Sequence, residues 1–106
     1  MSETAHQKTI AARQLSLRQE SGNIVSVDVL IGRPEYEEAS DAYVCTCTIV
    51  GLGENVVKST KGEDSVQALF LALQYIGTVL EYYRDAKGHK LWWLDEQNRD
   101  LGFPPI

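Results

Sequence analysis

Residues 65–84 read SVQALFLALQYIGTVLEYYR, a run with helical spacing whose apolar residues extend around most of the circumference. At about 100° per residue, one apolar stripe consists of Val66, Leu69, Phe70, Leu73, Ile76, Gly77 and Leu80. A second stripe, on nearly the opposite side, consists of Ala68, Leu71, Ala72, Tyr75, Val79 and Tyr82. A narrow polar ribbon separates them and consists of Gln67, Gln74, Thr78 and Glu81. Because a helix that is apolar nearly all round is covered on two sides, we expect a sheet on the first stripe, closely approached at Gly77, and another cover on the second.

The ends of this helix carry recognisable signals. Asp64 is a favoured N-cap residue, and Gln67 three positions later can complete a capping box. After Arg84, the pair Lys87-Gly88 supplies a stop, since glycine readily adopts the backbone conformation that ends helices. The sequence therefore predicts a helix over residues 64–85.

Strand patterns fill the chain before the helix. Val25, Val27, Val29 and Ile31 alternate with mostly polar residues, which is typical of a half-buried strand. The predicted strands are Thr9–Arg18, Ile24–Ile31, Ala42–Val50 and Val56–Thr60. Short connections between consecutive strands favour antiparallel pairing. We predict an α+β fold in which a four-stranded antiparallel β-meander, residues 9–60, packs on one long α-helix; the acidic segment 35–41 is expected to be a solvated loop.

Two candidates could cover the second stripe of the helix. One is the C-terminal tail, residues 86–106, whose large apolar residues are Leu91, Trp92, Trp93, Leu94, Leu101 and Phe103. The other is a second copy of the chain, with the stripes meeting across a two-fold axis. We favour the tail, and the two covers can coexist. Because Trp92 and Trp93 are adjacent, they point in different directions, so we expect one in the core and the other at the surface or in an interface.

Composition limits the class of protein. The 106 residues, 43% hydrophobic, suit one domain (1–106). With 10 Lys+Arg against 15 Asp+Glu and a net charge of −5, the chain lacks the basic surface that nucleic-acid backbones require. Its longest uncharged run, Ser65 to Leu80, is shorter than the about 20 residues of a membrane span. Residues 1–8 read as a flexible N-terminus without the apolar core of a signal peptide, so we expect a cytoplasmic protein.

The sequence contains no recognisable catalytic, cofactor-binding or metal-binding pattern, and we predict no residues for those roles. Cys45 and Cys47 lie in an apolar strand and read as small buried thiols beneath the helix. His89 lies in a predicted solvated turn. The candidate partner-binding residues come from the second stripe of the helix and from the aromatic tail: Leu71, Tyr75, Tyr82, Trp92, Trp93 and Phe103.

Three motifs in the C-terminal part of the chain carry a family resemblance. The helix start reads Gly62-Glu63-Asp64-Ser65 and continues VQAL, and the chain later reads LWWL at 91–94 and DLGFP at 100–104. Together they resemble a family of small bacterial proteins of unknown function. The resemblance implies a bacterial cytosolic α+β domain and transfers no functional residue.

Three functions remain open at this point. The first is a non-catalytic protein-binding or adaptor module, for example an immunity-like protein, whose acidic charge would steer a basic partner. The second is a small-ligand-binding domain or minor enzyme with a pocket between helix and tail near Tyr75, Tyr82 and Trp93. The third is a structural homodimer subunit.

Overall fold

The computed structural model describes residues 8–106, which form one sheet and one long helix. In chain order the elements are β1 (Thr9–Arg18), β2 (Ile24–Gly32), β3 (Glu35–Glu37), β4 (Ala42–Val50), β5 (Val56–Gly62), α1 (Ser65–Asp85) and β6 (Lys90–Trp92). The predicted flexible N-terminus lies outside the described residues except for its last member, Lys8. Within the described part of the chain, no helix combines the length and apolar character needed to cross a membrane.

The sheet is antiparallel throughout and has six strands. Strand β4 pairs with β5 on one edge and with both β2 and β3 on the other, while β1 lies between β2 and β6. The order across the sheet is therefore β5–β4–β2–β1–β6, with β3 continuing the line of β2. The α+β class is confirmed, but the predicted four-stranded sheet is too small, because β3 and β6 add to it.

Strand β3 is the continuation of β2: after a kink, the chain pairs with β4 again. Ile31 pairs with Cys47 and Glu35 pairs with Val44, so three residues of one strand oppose two of the other, as in a β-bulge. Gly32 sits at the kink, where a Cβ atom would lie against the carbonyl oxygen of Thr46. The expectation of a loop over the whole acidic segment is wrong, because its first three residues pair with β4 and only the following four form the turn.

Strand β6 brings the start of the tail into the sheet beside β1. Leu91 pairs with Leu17 and shares the helix-facing core with it, while Trp92 pairs with Ser16. Trp92 is buried on the other side of the sheet, and Trp93 is half-buried against the core. The tail thus covers the helix only after it has first extended the sheet, which the sequence pattern does not reveal.

The core lies between α1 and one face of the sheet. Its most deeply buried side chains come from β1, β2, β4 and α1: Leu15, Val27, Val29, Cys45, Cys47, Ile49, Ile76 and Leu80. Both cysteines are free and buried beneath the helix, as their pattern predicts. Because the inward residues alternate along each strand, a single face supplies the core.

The direction in which α1 faces the sheet differs from the predicted one. Val66 and Phe70 are 73% and 49% exposed, whereas Ala68 and Ala72 are buried against the sheet. The reason is a close approach at the start of the helix, where a Cβ on Gly62 would lie 2.5 Å from the nitrogen of Ala68. Only small side chains fit between helix and sheet at that separation, so the larger apolar residues turn outward.

The predicted capping box at the start of α1 is formed. The side chain of Asp64 accepts a hydrogen bond from the backbone N–H of Gln67 at 2.8 Å. In return, the side-chain oxygen of Gln67 accepts one from the N–H of Glu63 at 2.6 Å. The first bond satisfies a backbone donor that the first helical turn would otherwise leave unpaired, and the second satisfies the donor of the residue just before the N-cap.

Candidate functional site

Helix α1 lies over β4 and β5, and its two flanks have different surroundings. We call the side that meets the C-terminal segment the tail flank; it includes Gln74, Gly77 and Arg84. We call the side that overhangs β5 the edge flank; it consists of Leu71, Tyr75 and Tyr82.

The tail flank is covered by residues 99–105, which run antiparallel to the helix. The guanidinium of Arg84 donates to the carbonyl oxygen of Arg99 at 2.6 Å, and the amide of Gln74 donates to that of Pro105 at 2.6 Å. Between them Phe103 approaches so closely that a Cβ on Gly77 would lie 2.7 Å from its own Cβ. The sequence predicts a strand against Gly77, and this prediction is wrong: the tail occupies that place.

Arg13 of β1 holds the tail on this flank. Its guanidinium carbon lies 3.9 Å from the ring centre of Trp93 and 4.8 Å from that of Phe103. The same group donates to the carbonyl oxygens of Leu101 and Gly102. Arg13 thus combines cation–π contacts with charge-assisted hydrogen bonds, and it ties β1 to the tail.

Arg13 was not singled out from the sequence, although a signal for it exists. Arg13 lies two positions before Leu15 and four before Leu17, and both leucines face the core. A strand residue two positions before an inward leucine points to the same side. An arginine in that position indicates a partly buried cation that needs hydrogen-bond acceptors.

The edge flank is not covered in this way, so the prediction that the tail covers the second apolar stripe is wrong: the tail lies against Gly77, which belongs to the first stripe. Leu71, Tyr75 and Tyr82 are 37%, 38% and 56% exposed, and helical spacing places them along one line. Near the middle of that line, the ammonium of Lys58 lies 5.9 Å from the ring centre of Tyr75. Since Lys58 belongs to β5, this contact places the line beside the outermost strand of the sheet.

Strand β5 presents an open edge next to this line. Among residues 8–106 it pairs with β4 alone, so its other edge carries backbone donors and acceptors without a strand partner. Val57 on this strand is 58% exposed. We call the combination of Leu71, Tyr75, Tyr82 and the outer edge of Val56–Gly62 the helix–edge surface. Unpaired strand edges and exposed apolar lines both favour association with other chains.

The six candidate partner-binding residues fall in three places. Leu71, Tyr75 and Tyr82 belong to the helix–edge surface. Trp93 and Phe103 are half-buried around Arg13, and Trp92 is buried beside β1, where the guanidinium carbon of Arg18 lies 5.6 Å from its ring centre. This arrangement separates the helical tyrosines from the tail aromatics.

The predicted ligand pocket near Tyr75, Tyr82 and Trp93 is not formed. Tyr75 lies beside β5 and Trp93 beside β1, and these two strands are separated by β4 and β2 in the sheet. They therefore do not line one cavity, because the helix lies between them.

A groove of about 610 Å³ lies on the side of the sheet away from the helix. Its floor and walls include Leu30, Thr46, Thr48 and Val57, with charged residues at the rim. The rim charges form ion pairs: Glu35 pairs with Lys8 at 3.4 Å, and Glu37 pairs with Lys61, which lies just outside the groove, at 3.3 Å.

Hydrogen bonding from Ser40, followed by the bond from Lys61, lowers the pKa of Glu37 and keeps its carboxylate charged. In the described part of the chain, no three histidine, cysteine or acidic side chains come together as a possible metal site.

The buried thiols have the character of core residues. The thiol of Cys45 donates to the carbonyl oxygen of Gly32 at 3.3 Å. A hydrogen bond with Cys47, and then burial, raises the pKa of Cys45 far above the usual range. A thiol that stays protonated is a poor nucleophile, so Cys45 contributes packing.

The chain was compared with known protein families, curated proteins and solved structures. A family model described as Domain of unknown function (DUF6968) matches residues 11–105. The comparisons with curated proteins and with solved structures found no match. The family match agrees with the predicted resemblance to a family of unknown function, and its description assigns no role to any residue.

Proposed function

We propose that this chain, which belongs to the DUF6968 family of domains of unknown function, is a non-catalytic protein-binding module that binds its partner through the helix–edge surface. The observation that carries the proposal is the position of an exposed apolar line on α1 beside an unpaired strand edge. Each feature alone is common on protein surfaces. Side by side, they offer a partner both apolar contacts and backbone hydrogen bonds.

The chemistry of the helix–edge surface suits binding. Tyrosine buries a large apolar area and keeps a hydroxyl for hydrogen bonding, and such residues are frequent anchors of interfaces. Tyr75 lies beside Lys58 of β5, and Leu71 and Tyr75 are each more than one-third exposed, so a partner can bury much of their remaining surface. Main-chain groups of β5 add directional bonds, as in complexes in which a strand joins a sheet edge.

The experiment places a photo-crosslinking residue at single positions in the cells that produce the protein. Benzoylphenylalanine at position 75 replaces a tyrosine of similar shape, and the matched control carries it at Ile24, which is 54% exposed on the opposite face of the sheet. We expect a discrete crosslinked product from position 75 and none from position 24.

A second substitution tests whether the product depends on the surface. Leu71→Asp should abolish the crosslink from position 75, because a carboxylate would be desolvated in the interface. Ile24→Asp should leave it intact. Equal crosslinking from both positions, or a product that survives Leu71→Asp, would contradict the proposal. The far-ultraviolet circular dichroism of each variant verifies that it is folded.

A further inference from the structure

We infer that the occupant of the helix–edge surface is a second copy of this chain, bound by antiparallel pairing of β5 with its counterpart around a two-fold axis at Ser59. This inference rests on the proposed function and specifies the partner. In such a dimer the two sheets become one continuous sheet, and both helices lie on the same face of it, because the axis is perpendicular to the sheet.

The sequence of β5 fits one self-pairing register better than its neighbours. Residues directly opposite each other in an antiparallel pair point to the same face, so a two-fold axis perpendicular to the sheet must pass midway between two copies of the same residue. An axis at Ser59 pairs all residues of Val56–Gly62, placing Lys58 opposite Thr60 and Val57 opposite Lys61. An axis at either lysine would place two ammonium groups opposite each other, which is destabilising. The Ser59 register therefore gives the longest pairing in which no two like charges lie directly opposite each other.

The position of α1 over the sheet also fits this dimer. Neighbouring strands are about 4.8 Å apart, so the axis lies about 2.4 Å from β5 and a helix centred between β4 and β5 lies about 5 Å from it. The two helices are then roughly 10 Å apart, close to the 8–10 Å at which helices pack. Helix α1 does lie over both β4 and β5, so the dimer needs no rearrangement of the helix.

The same axis identifies the side chains that meet between the helices. The hydroxyl of Thr60 donates to the carbonyl oxygen of Ala68 at 2.9 Å, and Lys58 contacts Tyr75. The level of Ser59 along the helix therefore lies between Ala68 and Tyr75, where Leu71 points to the edge flank. We infer that Leu71 packs near its counterpart at the axis, with Tyr75 beside it.

Local charge is compatible with a second copy despite the acidic balance of the whole chain. Strand β5 contains two lysines and no acidic residue, so the paired edges hold none of the carboxylates that give the chain its net charge of −5. The ammonium of Lys61 already pairs with Glu37 at 3.3 Å, and that of Lys58 lies near the face of Tyr75. Both cations therefore have partners within their own chain.

Sedimentation equilibrium of the purified chain tests the stoichiometry. We expect a monomer–dimer equilibrium, and Leu71→Asp should raise the dimer dissociation constant by tenfold or more. Ile24→Asp is the control, with an unchanged constant. A chain that remains monomeric at about 1 mM, or a dimer insensitive to Leu71→Asp, would overturn the inference.

A cysteine placed at the axis tests the register. Self-opposed residues of antiparallel strands have Cα atoms roughly 4.5–5.5 Å apart, which is within the range of a disulfide. Under mild oxidation Ser59→Cys should form a disulfide-linked dimer, whereas Ser26→Cys, exposed in β2 within the sheet, should not. The buried native thiols do not compete. Equal linkage from both variants, or none from Ser59→Cys, would overturn the Ser59 axis.

The outcomes distinguish this inference from the proposed function. A monomeric chain whose position 75 still crosslinks to a different protein, in a manner abolished by Leu71→Asp, leaves the proposed function standing and refutes the second copy. A monomeric chain with no product from position 75 refutes both. If the purified chain is a dimer and gives the same crosslinked product from position 75 as the chain in cells, both are supported.

Discussion

The two flanks of α1 differ both in their side chains and in their surroundings. On the tail flank, the chain places Phe103 against Gly77 and anchors it with Arg13, Gln74 and Arg84. On the edge flank, a line of equally large side chains remains partly exposed beside an unpaired strand.

The difference shows that apolar character alone does not decide whether a helix flank is covered within its own chain. The tail flank has two properties that the edge flank lacks: a glycine that permits close approach and an arginine that binds the tail's carbonyl oxygens. A flank with large side chains and an adjacent strand edge is better suited to a separate polypeptide. This is the physical basis for assigning the edge flank to a partner.

The largest expected effect comes from removing the cation that holds the tail. Arg13→Met keeps the length of the side chain and should lower the free energy of unfolding by about 3 kcal/mol, because charge-assisted hydrogen bonds and cation–π contacts are both lost. Tryptophan fluorescence should shift to longer wavelength as Trp93 becomes exposed. Urea denaturation measures the first effect, and emission spectra measure the second.

Arg18→Met is the matched control on the same strand. Arg18 pairs with Glu96 at 2.9 Å on the exposed surface, and such pairs contribute only about 0–1 kcal/mol. Leu71→Ala, on the edge flank, should also cost no more than about 1 kcal/mol in dilute protein. If Arg13→Met is no more destabilising than Arg18→Met, the tail is held by something other than the cation, and the contrast between the flanks is mistaken.

The next effect tests the close approach at Gly77. Gly77→Ala should destabilise the protein by about 1 kcal/mol: the added methyl meets the Cβ of Phe103, and the 1–3 kcal/mol cost of overpacking exceeds the roughly 1 kcal/mol gained in helix propensity. In a Phe103→Gly background the obstructing Cβ is absent, so the same substitution should stabilise the protein.

Urea denaturation of the unmodified protein, the two single variants and the double variant measures whether the effect of Gly77→Ala on stability changes sign when Phe103 is replaced. The exposed neighbour Thr78 provides a control, because Thr78→Ala should change stability by less than about 0.5 kcal/mol in either background. Destabilisation by Gly77→Ala in both backgrounds would mean that Phe103 is not the obstacle.

Local pattern was enough to predict the main elements. The alternation in β1 and β4 gives their observed ends, and the capping box at Asp64 begins the helix where the structure has it. These features depend on residues close together in the sequence. The bulge at Gly32 and the pairing of Leu91 with Leu17 depend on the position of another strand, so neither β3 nor β6 could be predicted by the same means.

The candidate site was predictable only in part, for a related reason. The pattern correctly separates Tyr75 and Tyr82 from the polar ribbon and places Ile76 and Leu80 in the core, but it wrongly turns Val66 and Phe70 toward the sheet in place of Ala68 and Ala72. Large apolar residues normally indicate the buried side of a helix, whereas here Ala68 lies where Gly62 of β5 approaches. The strand edge beside Tyr75 follows from the strand order, which a periodic pattern does not contain.

The smallest expected effect concerns the last anchor of the tail flank. The carboxylate of Asp85 accepts hydrogen bonds from Arg84 at 2.8 Å and from Arg99 at 3.2 Å. The bond from Arg84, more than that from Arg99, lowers the pKa of Asp85 below its ordinary value of 3.8. Because the folded pKa is the lower one, the carboxylate stabilises the fold above about pH 3.8, and this contribution is lost as pH falls through the folded pKa.

Carbon-detected NMR titration of the Asp85 carboxyl measures its pKa directly. We expect a value below 3.8, which rises more in Arg84→Gln than in Arg99→Gln. Because only the tail flank uses this carboxylate, acid should accelerate amide exchange around residue 99 before it affects the surroundings of Tyr75. A pKa at or above the ordinary value, or simultaneous loosening of both flanks, would mean that the Arg84–Asp85–Arg99 contacts do not hold the tail and that the covered flank depends on Arg13 and the fit at Gly77 alone.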